Sequence, residues 1–223
     1  MVEDAMAVFC ERLRYLFFVN PLTGSQAITR TLMEQLHGEL MPPEDVVRRG
    51  KVLARRQNTT PKMLLMAELL AKSEFDDLLK FTVVRNPFDL LVARFLKQGG
   101  VRPGDDAPEE GSGKAAGLSF STWLNKTHEA MLSEQRESRA QLQYADQVDM
   151  VIRFEAQQAG FDEVLKRLGV KEPLRLYPDP EKPGPKTLDY RRFYGDEDVA
   201  LVARLYAKTL SRFGYSFDSE KTA

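Results

Sequence analysis

The chain has 223 residues, 43% hydrophobic, with 32 Lys and Arg against 33 Asp and Glu. That length fits a single domain with a proper core, and the near-balanced charge excludes a general nucleic-acid binder, which would be far more basic. One cysteine and two histidines exclude a disulfide framework and a classical zinc site. No apolar run reaches the roughly 20 residues of a membrane span. Early Glu3 and Asp4 do not suit a secretory signal peptide. The expectation is a soluble, cytoplasmic protein without a metal, although a catalytic domain cut from a longer, membrane-anchored chain would look the same.

In chain order, 14–20 (with Tyr15-Leu16-Phe17-Phe18-Val19-Asn20) is a predicted strand and 25–38 the helix leaving it. Between them stand Pro21-Leu22-Thr23-Gly24-Ser25-Gln26-Ala27. Small and hydroxyl residues at a strand-to-helix turn let backbone amides converge on an anion at a helix N-terminus. Residues 42–58 are polar and basic, with Arg48, Arg49, Lys51, Arg55 and Arg56. Such a cluster suits an anionic glycan or is simply a solvated face. Thr60-Pro61 opens a helix running to about Ser73, Thr as N-cap and Pro in the first turn.

A second strand is predicted over 78–85 and its helix over 88–97. Here an apolar, β-branched run ends at Arg85, and Pro87 starts the helix. A guanidinium at the carboxyl end of a strand suits a phosphate or sulfate; a structural salt bridge is the alternative. Residues 99–117 are rich in Gly, Pro, Asp and Glu and read as a mobile surface loop. A helix follows over Ser119 to about Leu132, with Phe120, Trp123 and Leu124 inward. A third strand is expected over Val148–Phe154, then a helix over Phe161–Leu168 ended by Gly169. Residues 171–190 are a Pro-rich loop whose Lys182 and Lys186, with Arg191 and Arg192 beyond, suit closure over a nucleotide or an exposed surface equally. Asp196 to about Phe213 is a final amphipathic helix. Strands alternating with helices imply a mostly parallel sheet covered on both faces.

Four of these stretches resemble the landmarks of sulfotransferases, in the family's order. Pro21-Leu22-Thr23-Gly24-Ser25-Gln26-Ala27 is similar to the 5′-phosphosulfate loop P-K-T-G-[GS]-[TS]-S. Val84-Arg85-Asn86-Pro87-Phe88-Asp89-Leu90-Leu91-Val92-Ala93-Arg94-Phe95 is similar to the 3′-phosphate motif V-R-N-P-[YF]-D-R-L-V-S-x-[YF]. Val151-Ile152-Arg153-Phe154-Glu155, with Leu168-Gly169, resembles the carbohydrate-type branch. So do Tyr190-Arg191-Arg192-Phe193-Tyr194 and Phe213-Gly214-Tyr215.

The resemblance implies an α/β, P-loop-kinase-like three-layer sandwich with a central, mostly parallel sheet. It implies 3′-phosphoadenosine-5′-phosphosulfate (PAPS) as donor and sulfuryl transfer to a hydroxyl or amine of a carbohydrate or small metabolite. It places the 5′ side of the donor at Thr23, Gly24, Ser25, Gln26 and Ala27, and the 3′-phosphate at Arg85. The sequence departs from the family at Leu22 (usually Lys), Leu90 (usually Arg), Ala93 (usually Ser), and near Asn58, where a histidine base is usual. His37 or Glu34, on the helix leaving the loop, is the candidate base, and Lys62, Arg56 or Arg55 the candidate cation. The departures also admit a catalytically weak or inactive nucleotide-binding or interaction protein. A P-loop kinase is disfavoured, because Gly50-Lys51 and Gly113-Lys114 are not followed by Ser or Thr.

Overall fold

A computed structural model describes residues 7–105, 113–134, 137–176 and 188–219. In chain order the elements are β1 (Ala7–Cys10), β2 (Tyr15–Phe18), α1 (Gln26–Gln35), β3 (Glu39–Met41), β4 (Val46–Arg48), β5 (Lys51–Ala54), α2 (Pro61–Met66), α3 (Lys72–Asp77), β6 (Leu79–Val84), α4 (Pro87–Lys97), α5 (Phe120–Ser133), α6 (Leu142–Ala145), β7 (Met150–Arg153), α7 (Gln157–Arg167), α8 (Asp196–Leu205) and α9 (Ala207–Phe213). Part of the expected 99–117 loop, residues 106–112, lies outside the described residues, as do Lys182 and Lys186.

The chain gathers into two compact units. The first comprises residues 7–84 and 140–176, the second residues 85–139 and 188–219 as far as they are described.

In the first unit, five strands form one sheet in the order β3-β1-β2-β6-β7. β2, β6 and β7 run parallel, whereas β1 is antiparallel to both β2 and β3. The sheet is therefore mixed rather than mostly parallel. The cause is local: only residues 11–14 join β1 to β2, and so short a connection can make a hairpin but no parallel crossover.

The sheet is covered on both faces, because its strands are apolar on both. Tyr15, Phe17, Val19, Phe81, Val83 and Ile152 pack with Ile28 and Leu32 of α1 and with Phe161, Val164 and Leu165 of α7. Leu16 and Phe18 face the other way and pack with Leu64 of α2, Phe75 of α3 and Tyr144 of α6. Period-two alternation inside an all-apolar run is what a doubly covered strand requires.

The expected helix from Thr60 to Ser73 is broken. Thr60 caps α2 through its side chain, with Pro61 in the first turn, as the sequence suggests. The helix stops at Ala67, Glu68 turns left-handed (φ 55°), and α3 starts afresh after Ala71. Residues 42–58, a polar and basic stretch to which the sequence assigns no element, carry the separate hairpin β4–β5. Its two-residue turn is Arg49-Gly50, both at positive φ (51° and 72°), as a type I′ turn demands.

The second unit is helical. Phe88, Leu91, Val92 and Phe95 of α4 pack with Phe120, Trp123 and Leu124 of α5, with Tyr190 and Phe193 of a 3-10 turn, and with Val202 and Leu205 of α8. Phe120 and Trp123 are core residues, as expected. The indole N–H of Trp123 donates to Gln98 Oε1 at 2.8 Å. The expected continuous final helix divides at Tyr206 into α8 and α9.

Candidate functional site

The loop that follows β2 is built from its own hydrogen bonds. Asn20 Nδ2 donates to the Val83 carbonyl at 3.0 Å, and Thr82 Oγ1 donates to the Phe18 carbonyl at 2.7 Å. The ends of the parallel strands β2 and β6 are thereby tied by side chains where the ladder stops. Thr23 Oγ1 donates to the Asn20 carbonyl at 2.7 Å and lies 2.7 Å from Ser25 Oγ. The Thr23 proton being committed, the Ser25 hydroxyl is the donor in that pair. Both side chains are buried.

The Ser25 hydroxyl therefore does not cap α1, and the helix has no side-chain cap and no acidic residue in its first turn. Its opening amides have no intrahelical partner, as at any helix start. Gly24 is left-handed (φ 67°) and Ser25 right-handed (φ −66°). That succession turns neighbouring N–H groups to one side, an anion-binding nest. Leu22 is also left-handed (φ 64°), a conformation that costs a bulky residue about 1 kcal/mol or more.

Two residues far along the chain fix the opposite side of the loop. Gln157 Nε2 donates to the carbonyls of Thr23 (3.0 Å) and Gly24 (3.1 Å). The Phe154 ring packs so closely that a Cβ on Gly24 would stand 2.4 Å from its Cε2. The loop carbonyls are thus drawn toward α7. Sequence reasoning finds Phe154 as part of a strand and does not find Gln157 at all.

No family model matches the chain, nor does any curated protein or solved structure. What the chain can do rests on its own residues.

In the second unit, Arg85 and Asp89 form the structural alternative raised by the sequence. Arg85 Nε and Nη2 both lie 2.9 Å from Asp89 Oδ2, and both side chains are largely buried. Asn86 Oδ1 accepts from the Phe88 amide at 3.1 Å and caps α4, and Pro87 occupies its first turn. Asn86 Nδ2 donates to the Ser216 carbonyl at 2.9 Å. Tyr190 donates to the Phe217 carbonyl at 2.6 Å and Tyr194 to the Phe88 carbonyl at 2.8 Å. Burial above all raises the Tyr190 hydroxyl above its usual value, with the cation of Arg191 opposing; it stays a protonated donor. Much of the Arg-Asn-Pro-Phe-Asp stretch thus holds its own unit together. Leu90 is buried, and Ala93 is partly buried, both on α4.

His37 does not join the loop. His37 lies beyond the end of α1, not on it: the helix stops at Gln35, and His37 is exposed at φ 56°. Its Nε2 is 3.1 Å from Arg12 Nη1; as arginine can only donate, the imidazole accepts there. Arg12 belongs to the β1–β2 turn, at the opposite end of β2 from the loop. Lys62 is exposed in the first turn of α2. Asn58 is left-handed (φ 58°), and its carbonyl accepts from Tyr144 at 3.4 Å. Of the basic cluster, Arg48 is bound to Glu68, at 2.6 Å, and to the Ala67 carbonyl, at 3.0 Å. No group of three or more metal-ligating side chains occurs among the described residues.

Proposed function

We propose that the loop Thr23–Ala27 binds the 5′-phosphosulfate of PAPS and that the protein is a sulfotransferase, transferring the sulfuryl group to a hydroxyl or amine of a carbohydrate or small metabolite. The observation that carries this reading is the start of α1. It has an uncapped helix N-terminus, a left-handed then right-handed Gly24–Ser25 pair, no carboxylate in the first turn, and carbonyls drawn to Gln157. Together these features favour a bound anion held by amides rather than by a lysine. The four sequence stretches in family order supply the chemical identity. On this reading the first unit, whose mixed sheet is covered on both faces, is a variant of the P-loop-kinase-like sandwich. Arg85 takes the 3′-phosphate, with Asp89 fixing its guanidinium.

The donor would supply an activated sulfuryl group, and the chain's own residues would do the positioning. Amides of residues 24–27 would neutralise the leaving phosphate oxygens, preorganised because the Thr23–Ser25 hydroxyl pair and Gln157 already fix the loop. The acceptor's general base has no counterpart in His37, which stands at the far end of β2.

A second reading has its own support. Arg85 is already paired with Asp89, and Leu22 stands in place of the loop lysine. Those features suit a protein that keeps the fold and the nucleotide with weak or absent transfer.

The test is calorimetric titration with 3′,5′-ADP, beside Arg85→Ala and with ATP–magnesium as control. Micromolar binding lost in the variant supports the donor site; transfer from labelled PAPS then separates the two readings. Absence of 3′,5′-ADP binding refutes both.

A further inference from the structure

The β4–β5 hairpin has no part in the proposed site. Between residues 46 and 56 the chain carries Arg48, Arg49, Lys51, Arg55 and Arg56 and no carboxylate, within a protein of net charge −1. Arg48 is held by Glu68 and the Ala67 carbonyl, which fastens the hairpin to the end of α2. Arg49, Lys51, Arg55 and Arg56 are exposed and form no ion pair with a described residue.

The same hairpin carries apolar surface. Val47 and Val52 are cross-strand partners, 55% and 43% exposed, and Met66 at the end of α2 is 58% exposed. These are the large apolar side chains left in solvent among the described residues. Arg48 and Lys51, paired on the other face, are exposed too. Side chains on both faces of the hairpin end are therefore exposed to solvent.

We propose that the tip of the β4–β5 hairpin is a contact site for an anionic lipid bilayer. A soluble polyanion would satisfy the cations and leave the valine pair in water. A second copy of the chain would bring like charges together. An anionic bilayer answers both features: its headgroups meet the arginines and lysine, and its interface takes up Val47 and Val52. An exposed tip needs no matching pocket to meet such a surface. The contact is superficial and involves no spanning segment.

The test is flotation of the full chain with vesicles of phosphatidylcholine alone and of equimolar phosphatidylcholine and phosphatidylserine, beside retention on a heparin column. The wild type is expected to float with the anionic vesicles only. The double variant Arg49→Glu with Lys51→Glu should lose more than about tenfold in partitioning, since each basic residue near an anionic surface contributes about fivefold. Val47→Ser with Val52→Ser should lose about fivefold on vesicles with heparin retention unchanged. All four substitutions are at exposed positions, and thermal melts of both variants verify the fold. Failure of the wild type to float overturns the proposal, as does flotation that survives charge reversal. If the serine variant floats like the wild type, the surface is a polyanion site instead and the lipid proposal falls.

Discussion

The Phe154 ring occupies the space that a side chain on Gly24 would need, its Cε2 lying 2.4 Å from the ideal Cβ position. Gly24→Ala would therefore meet two penalties, a left-handed backbone and a clash with a ring held against the sheet. We expect a loss of about 2 kcal/mol in urea denaturation, and a greater loss of 3′,5′-ADP affinity than stability alone explains. An unchanged unfolding midpoint would show that the ring yields freely.

The Arg85–Asp89 pair makes a different prediction. Both side chains are largely buried, so removing one charge strands the other. Asp89→Ala should cost about 3 kcal/mol of stability. Arg85→Lys keeps the charge but not the fork, and should abolish 3′-phosphate discrimination, measured as 3′,5′-ADP against 5′-AMP. Equal binding of the two nucleotides by the wild type would leave Arg85 a purely structural residue.

Position 22 can be tested by gain rather than loss. Lysine is the residue that the sulfotransferase loop carries where Leu22 stands, and Leu22 already adopts the left-handed backbone of the turn. Leu22→Lys should tighten 3′,5′-ADP by about tenfold, or 1.4 kcal/mol, the order of one partly exposed charge-assisted hydrogen bond. Unchanged affinity would mean that residue 22 does not face the bound phosphate.

His128 gives the second unit a pH dependence. It is buried on α5, where Nδ1 donates to the Leu124 carbonyl at 2.9 Å and Nε2 accepts from Tyr206 at 3.0 Å. Burial lowers its pKa, outweighing the carbonyl contact, and the nearby Arg94 adds to the lowering. The unfolded chain therefore binds a proton first as pH falls below the ordinary imidazole value of about 6.5. Stability should be flat above that value and fall with acidification down to the lowered folded pKa. Urea midpoints across this range should show the slope, and His128→Gln should flatten it. The same slope in the variant would assign it to other groups.

The two anion-site candidates were legible in different degrees. Strand, turn and helix at residues 15–35 could be read because β2 is apolar on both faces and ends in Asn-Pro with a glycine beyond. The same logic found β6, α4 and β7. β1 and β3 escape because neither runs into a turn that opens a helix, the signal that marks β2, β6 and β7, and with them goes the antiparallel half of the sheet. β4 and β5 escaped because their cations mask a short apolar alternation; the signal was Arg49-Gly50 set between Val47 and Val52. Gln157 was beyond reach of sequence reading, since nothing local marks a glutamine that serves a loop more than 130 residues away. His37 falls two residues past the end of α1 at Gln35, and its own left-handed backbone and its contact with Arg12 are not marked in the sequence.

The sheet of the first unit closes only through chain that arrives late. β7 pairs with β6 in the register Phe81 to Met150, and α4 and α5 of the other unit lie between them in sequence. During synthesis, β6 thus leaves the ribosome with one bare row of N–H and C=O groups and keeps it until Met150–Arg153 emerge. An open apolar edge of that kind recruits other strands. The nascent chain is most exposed to mispairing and to chaperone capture in that interval, and truncations ending between residues 85 and 149 should aggregate where the full chain does not.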